Sequence, residues 1–143
     1  MKNYKKILVL LLFAIAIIGI LAPVNAKLDT SVETDTKKTV NGKSEVRLVV
    51  FSNINNVKLN KAEFNKVNKI VLSIKGFKSK TFKKSAKGFY NDGSDGSYFY
   101  TTFAVKGKTF NKDYSVKLYN KKGNLIKNIK GKVSFWDRYN QKI

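Results

Sequence analysis

Few residues in this chain are equipped for chemistry, and they fall into two clusters. The first is Asn91-Asp92-Gly93-Ser94-Asp95-Gly96-Ser97, where oxygen-bearing side chains alternate with glycines. Short oxygen ligands on a turning backbone suit a hard cation such as Ca²⁺. The spacing argues against it. With Asn91 as the first residue of a calcium-binding loop, Gly93 falls third and Thr102 twelfth, where a bidentate acid is needed. A connection between two strands has the same composition, so no metal site is expected. The second cluster is Lys75, Lys78, Lys80, Lys83, Lys84 and Lys87, interleaved with Phe77, Phe82, Phe89 and Tyr90. Ammonium groups beside aromatic rings can track a polyanion. The same mixture also arises when a strand pair turns its rings inward and its lysines to water.

Catalysis has little to draw on. The chain contains neither His nor Cys, so the commonest general base and the thiol nucleophile are both missing. The acids Asp29, Glu33, Asp35, Glu45, Glu63, Asp92, Asp95, Asp113 and Asp137 show no glycosidase or metal-site spacing. Trp136, Tyr139, Arg47 and Arg138 are scattered along the chain and mark no site. A protein that is not an enzyme, with no catalytic residues, no cofactor and no small-molecule substrate, is the expectation.

The N-terminus sets the compartment. Met1-Lys2-Asn3-Tyr4-Lys5-Lys6 is basic, Ile7 to Leu21 is uncharged and apolar, and Pro23-Val24-Asn25-Ala26 offers small residues at its end. That order is a secretory signal peptide over 1–26, with cleavage after Ala26. The apolar run is short for a bilayer span, which needs about 20 residues; an uncleaved N-terminal anchor is the alternative. The expected destination is secretion or the cell surface.

Export shapes the reading of the charge. Losing Lys2, Lys5 and Lys6 leaves 26 of the 29 basic residues against all nine acids, a net charge near +17. Such a field attracts polyanions. Outside the cell these are anionic envelope polymers or lipid headgroups, not nucleic acid. Only Arg47 and Arg138 are arginines, and lysine lacks the guanidinium fork that recognises phosphate specifically. A compositional bias toward Lys, Asn, Ile, Phe and Tyr competes as the origin of the charge.

The elements that must position these residues read as strands. Residues 27–43 are polar and suggest a flexible lead or a frayed first strand. Beyond them, period-two alternation marks Val46 to Phe51, Ile70 to Ile74, Tyr98 to Val105, Tyr114 to Leu118 and Leu125 to Ile129. A weaker, lysine-laced strand over Phe77 to Phe82 has the character of a sheet edge. The 53–68 segment suggests a short strand near Val57–Leu59 followed by a turn. Asn120-Lys121-Lys122-Gly123-Asn124 predicts a hairpin turn. About seven short strands over 44–143, with no long helical period, predict an all-β domain, an antiparallel immunoglobulin-like sandwich. Tyr114, at the start of the penultimate strand, stands where such domains often place a tyrosine corner; a plain core tyrosine is the alternative. With no cysteine for a disulfide, ten Phe and seven Tyr must supply the core.

This texture, and above all Tyr114-Ser-Val-Lys-Leu-Tyr-Asn-Lys-Lys-Gly-Asn-Leu-Ile126, resembles the small exported immunoglobulin-like domains of adhesin-like surface proteins in methanogenic archaea. The resemblance implies a cell-surface binding or structural module, with no catalytic residues to carry over. A secreted basic effector acting on anionic membranes is the second expectation.

Overall fold

The computed structural model describes residues 28–54, 56–92 and 96–137. The expected signal segment, its expected cleavage position at Ala26 and the centre of the 91–97 loop lie outside these residues. The elements are β1 (Leu28–Thr34), β2 (Lys43–Ser52), α1 (Val57–Phe64), β3 (Lys69–Ile74), β4 (Lys80–Lys83), β5 (Phe89–Asp92), β6 (Gly96–Lys106), β7 (Asp113–Tyr119), β8 (Leu125–Lys132) and β9 (Ser134–Phe135).

The strands form a five-stranded sheet, β5-β6-β2-β1-β9, and a four-stranded sheet, β4-β3-β7-β8. All pairings are antiparallel except the short parallel contact of β9 with β1. Taken in chain order, β1 to β8 occupy the places of immunoglobulin strands A, B, C, C′, D, E, F and G. The domain is therefore an all-β, immunoglobulin-like sandwich, with nine described strands rather than seven.

Alternation explains why these segments pair as they do. Along β2, Ser44, Val46, Leu48, Val50 and Ser52 are buried while the residues between them face outward. Leu28, Val46, Leu48, Val50, Val67, Ile70, Phe99, Val116 and Leu118 are fully buried. Phe99 lies at the aromatic centre, its ring 4.7 Å from Phe89 and 5.2 Å from Phe82. Tilted ring pairs at this spacing add to plain area burial. The lysine-laced strand expected over Phe77 to Phe82 forms instead over Lys80–Lys83, and it is an edge, as β4 flanks only β3. The 120–124 turn forms as expected: Asn120 Oδ1 accepts from the amides of Lys122 at 3.0 Å and Asn124 at 2.9 Å.

Two expectations are corrected. Of the two readings of 27–43, a first strand is the one that forms and the flexible lead is set aside: β1 pairs with β2 from Leu28↔Ser52 to Thr34↔Val46. Its inward residues Leu28, Val32 and Thr34 are buried, but Thr, Ser and Glu between them mask the pattern. The strand expected near Val57–Leu59 is helix α1 instead. Asn56 caps it, accepting from the Leu59 amide at 3.1 Å. Its inward residues are Asn60, Glu63 and Phe64, followed past its end by the buried Val67, and two of the three helical ones are polar. Leu59, by contrast, is 59% exposed.

Tyr114 is a core-edge tyrosine that spans the sheets. Its hydroxyl meets Thr30 Oγ1 of β1 at 3.5 Å, not the backbone of its own loop, so it does not form a tyrosine corner.

Candidate functional site

The lysine cluster from the sequence does not fold into one patch. Lys75 occupies the turn after β3, where its amide donates to Asp113 O at 2.8 Å. Lys78 lies between β3 and β4, Lys80 and Lys83 on β4, and Lys84 and Lys87 in the β4–β5 turn. Strand alternation sends Lys80 and Lys83 to opposite faces. Lys80 turns toward the sandwich interior, its ammonium 4.5 Å from the centre of the Phe103 ring. Lys84 is drawn to the end of α1, where Nζ donates to Asn65 O at 3.0 Å.

Lys83 belongs to a different assembly, the outer face of the β4-β3-β7-β8 sheet. It stands directly opposite Lys69, and Lys69 Nζ rests 4.5 Å from the centre of the Tyr119 ring. Farther across, Lys117 faces Asn128, Ser115 faces Lys130 and Asp113 faces Lys132. Directly opposed residues share a face, so Lys69, Lys83, Lys117, Lys130 and Lys132 all project from this one surface. Asp113 is the acid among them, bound to Lys132 Nζ at 3.0 Å. The Lys132 hydrogen bond, then its positive charge, hold the Asp113 carboxyl below the usual aspartate value. Lys69, Lys117, Lys130 and Lys132 were missed in the sequence, although the first three each adjoin an inward Ile70, Val116, Leu118 or Ile129 and Lys132 adjoins the buried Val133.

The opposite sheet carries both signs. Asp29, Glu33 and Glu45 project outward from β1 and β2 beside Lys43 and Arg47, with Lys106 directly opposite Lys43, and Asp35 Oδ1 accepts from the Glu45 amide at 3.3 Å. Here the fold joins Arg47 and Trp136, which the sequence leaves far apart. Arg47 Nη2 donates to Glu33 Oε1 at 2.8 Å, and its guanidinium lies 4.0 Å from the centre of the Trp136 ring. On the same face Tyr90 and Tyr98 stack at 5.1 Å. The acids of β1 and β2 thus share their outer face with Lys43, Arg47 and Lys106, while the outer face of β4-β3-β7-β8 has, among the described residues, five lysines and the single acid Asp113, a difference that summed net charge could not show.

The backbone of the 91–97 segment pairs Asn91 with Ser97 and Asp92 with Gly96, the strand connection expected of it. Among the described residues, no three acids gather closely enough to hold a metal ion. No helix among them is long and apolar enough to cross a membrane. No protein-family model matches this chain, and no curated protein sequence matches it.

Proposed function

We propose that this chain is an exported, non-catalytic cell-surface module that holds an anionic envelope polymer against the outer face of its β4-β3-β7-β8 sheet. The observation that carries this reading is the directly opposed pair Lys69↔Lys83. Like charges facing each other across strands oppose folding, and an anion laid between them turns that repulsion into attraction. Lys69 also faces Tyr119, and Lys117 and Lys130 continue from the pair on a diagonal toward β8, each one strand over and two residues along from the lysine before it, with neighbouring strands about 4.8 Å apart. A repeating anion that runs diagonally over the strands meets Lys83, Lys69, Lys117 and Lys130 in turn. Lysine, a compact point charge, suits a flexible polymer of phosphates or carboxylates better than one shaped ligand.

The test is retention on isolated cell envelope at rising ionic strength. Binding should fall steeply between low salt and about 0.5 M, where the screening length has shrunk to a few ångströms. The triple variant Lys69→Gln/Lys83→Gln/Lys117→Gln should lose most of the retention. Retention that ignores both salt and these substitutions overturns the proposal. Leakage from anionic vesicles without envelope binding would favour the membrane-acting effector instead.

A further inference from the structure

At the other end of β4, the two sheets leave a slot of about 380 Å³ lined by Phe77, Lys78, Ser79, Lys80, Val105 and Lys106. That volume lies within the range of small-ligand sites, about 300–1,000 Å³. Its floor is apolar. A small void below it shares Phe77, Lys78, Lys80 and Val105 with the slot and reaches Leu72, Ile74 and Phe103 in the sandwich interior. Its rim is cationic: Lys78 and Lys106 are exposed, and Lys80 bends over the Phe103 ring at 4.5 Å. No acid lines it. Phe77 forms one wall, its ring packed on Gly107 so tightly that a methyl group there would stand 3.3 Å away.

An inward-pointing lysine on an edge strand can serve to block strand pairing. That role accounts for Lys80 alone; it explains neither Lys78 and Lys106 on the rim nor the apolar floor between them. We propose that this slot binds a phosphate-headed, single-chain lipid, the chain lying along Phe77 and Val105 and the head among Lys78, Lys80 and Lys106. Charge complementarity selects the head. A phosphate monoester carries nearly two negative charges at neutral pH and three acceptor oxygens, one for each ammonium group. The slot is separate from the lysine face of the outer sheet, and neither site depends on the other.

Chain length at constant head group tests the site. Hexyl, octyl and decyl phosphate, each below its micelle-forming concentration, would be titrated into the folded protein while backbone amide NMR shifts are followed. Shifts should concentrate at Phe77–Lys80 and Val105–Gly107. Affinity should rise up to about fourfold per added methylene until the slot is filled. Lys78→Gln/Lys106→Gln should weaken binding roughly tenfold, about threefold per lysine, while keeping the chain-length dependence. Both positions are exposed, so the variant retains its fold. Decanoate should bind more weakly than decyl phosphate; equal or tighter binding overturns the phosphate assignment in favour of a free fatty acid. Inorganic phosphate giving the same shifts as decyl phosphate, or shifts centred on Lys69, Lys83 and Lys117, overturns the slot. Lys69→Gln/Lys83→Gln should leave lipid binding unchanged, which separates failure of this site from failure of the polymer face.

Discussion

Lys69 and Lys83 face each other across β3 and β4, two ammonium-bearing side chains at one register position on the outside of a sheet. A fold selected for stability alone gains from a carboxylate at either place. Lys83→Glu should convert repulsion to attraction and raise stability by about 0.5–1 kcal/mol at low salt. A higher urea midpoint, shrinking as salt is added, checks the first half. Weaker retention on cell envelope checks the second. A variant that is more stable and binds as well as before would separate the pair from function.

Arg47 is held by the Glu33 carboxylate at 2.8 Å and the Trp136 ring at 4.0 Å. Lysine keeps the charge but loses the planar stacking surface. Arg47→Lys should cost about 1 kcal/mol. Trp136 is the chain's single tryptophan, so its fluorescence should report the loss directly, as a shift in emission before global unfolding.

Asn60 links α1 to both neighbouring strands. Its buried amide donates to Ser52 O at 3.0 Å and accepts from the Ser97 amide at 2.8 Å. Asn60→Ala removes both bonds inside the protein and should destabilise by about 2–3 kcal/mol. Urea unfolding measures it, and an unchanged midpoint would show that α1 is not docked through this side chain.

Asp113 gives the pH dependence. Its carboxyl is held below the ordinary aspartate value of 3.8, first by the Lys132 hydrogen bond and then by the charge of Lys132. A depressed folded-state value means the pair supports folding above the unfolded-state value. That support disappears as pH falls below 3.8 through the lowered folded value. Both partners are exposed, so the effect is small. Comparing Lys132→Met with the parent chain across acid titration should show a difference at neutral pH that vanishes in acid.

Gly88 sits where no side chain fits. Its φ is +118°, and an added Cβ would lie 2.6 Å from the backbone oxygen of Tyr100. That close approach lets the Tyr100 amide donate to Gly88 O at 2.9 Å, joining the β4–β5 turn to β6. Gly88→Ala should cost at least about 2 kcal/mol, combining the disfavoured backbone region with the clash. Amide exchange should show the loss first in β5.

The strands most legible in the sequence are those whose outward residues contrast with their inward ones. Ile70, Leu72 and Ile74 stand out because Val71 is the single apolar residue between them, and Tyr114, Val116 and Leu118 because Ser115 and Lys117 are polar. β1 was masked because its outward Asp29, Ser31 and Glu33 adjoin inward Thr30 and Thr34, leaving only Leu28 and Val32 to signal burial. Helix α1 was masked for the complementary reason. Its buried face contains Asn60 and Glu63, while Leu59 points to solvent, so apolar spacing misreports which side is inside.

The candidate lysine site divides along the same line. Composition alone determined that the chain carries a large excess of positive charge, and the 75–87 segment showed a dense run of it. Alternation along β4 then separated Lys80 from Lys83, because successive strand residues point to opposite faces. Register did the rest. Lys69 comes to face Lys83 only because β3 and β4 run antiparallel with Ile70 opposite Phe82. Lys106 lines the same slot as Lys78 and Lys80 only because the two sheets close on each other at that edge. Local sequence sets which residues a strand turns in and out; which outward residues become neighbours is decided by strand pairing and sheet packing between segments far apart in the chain.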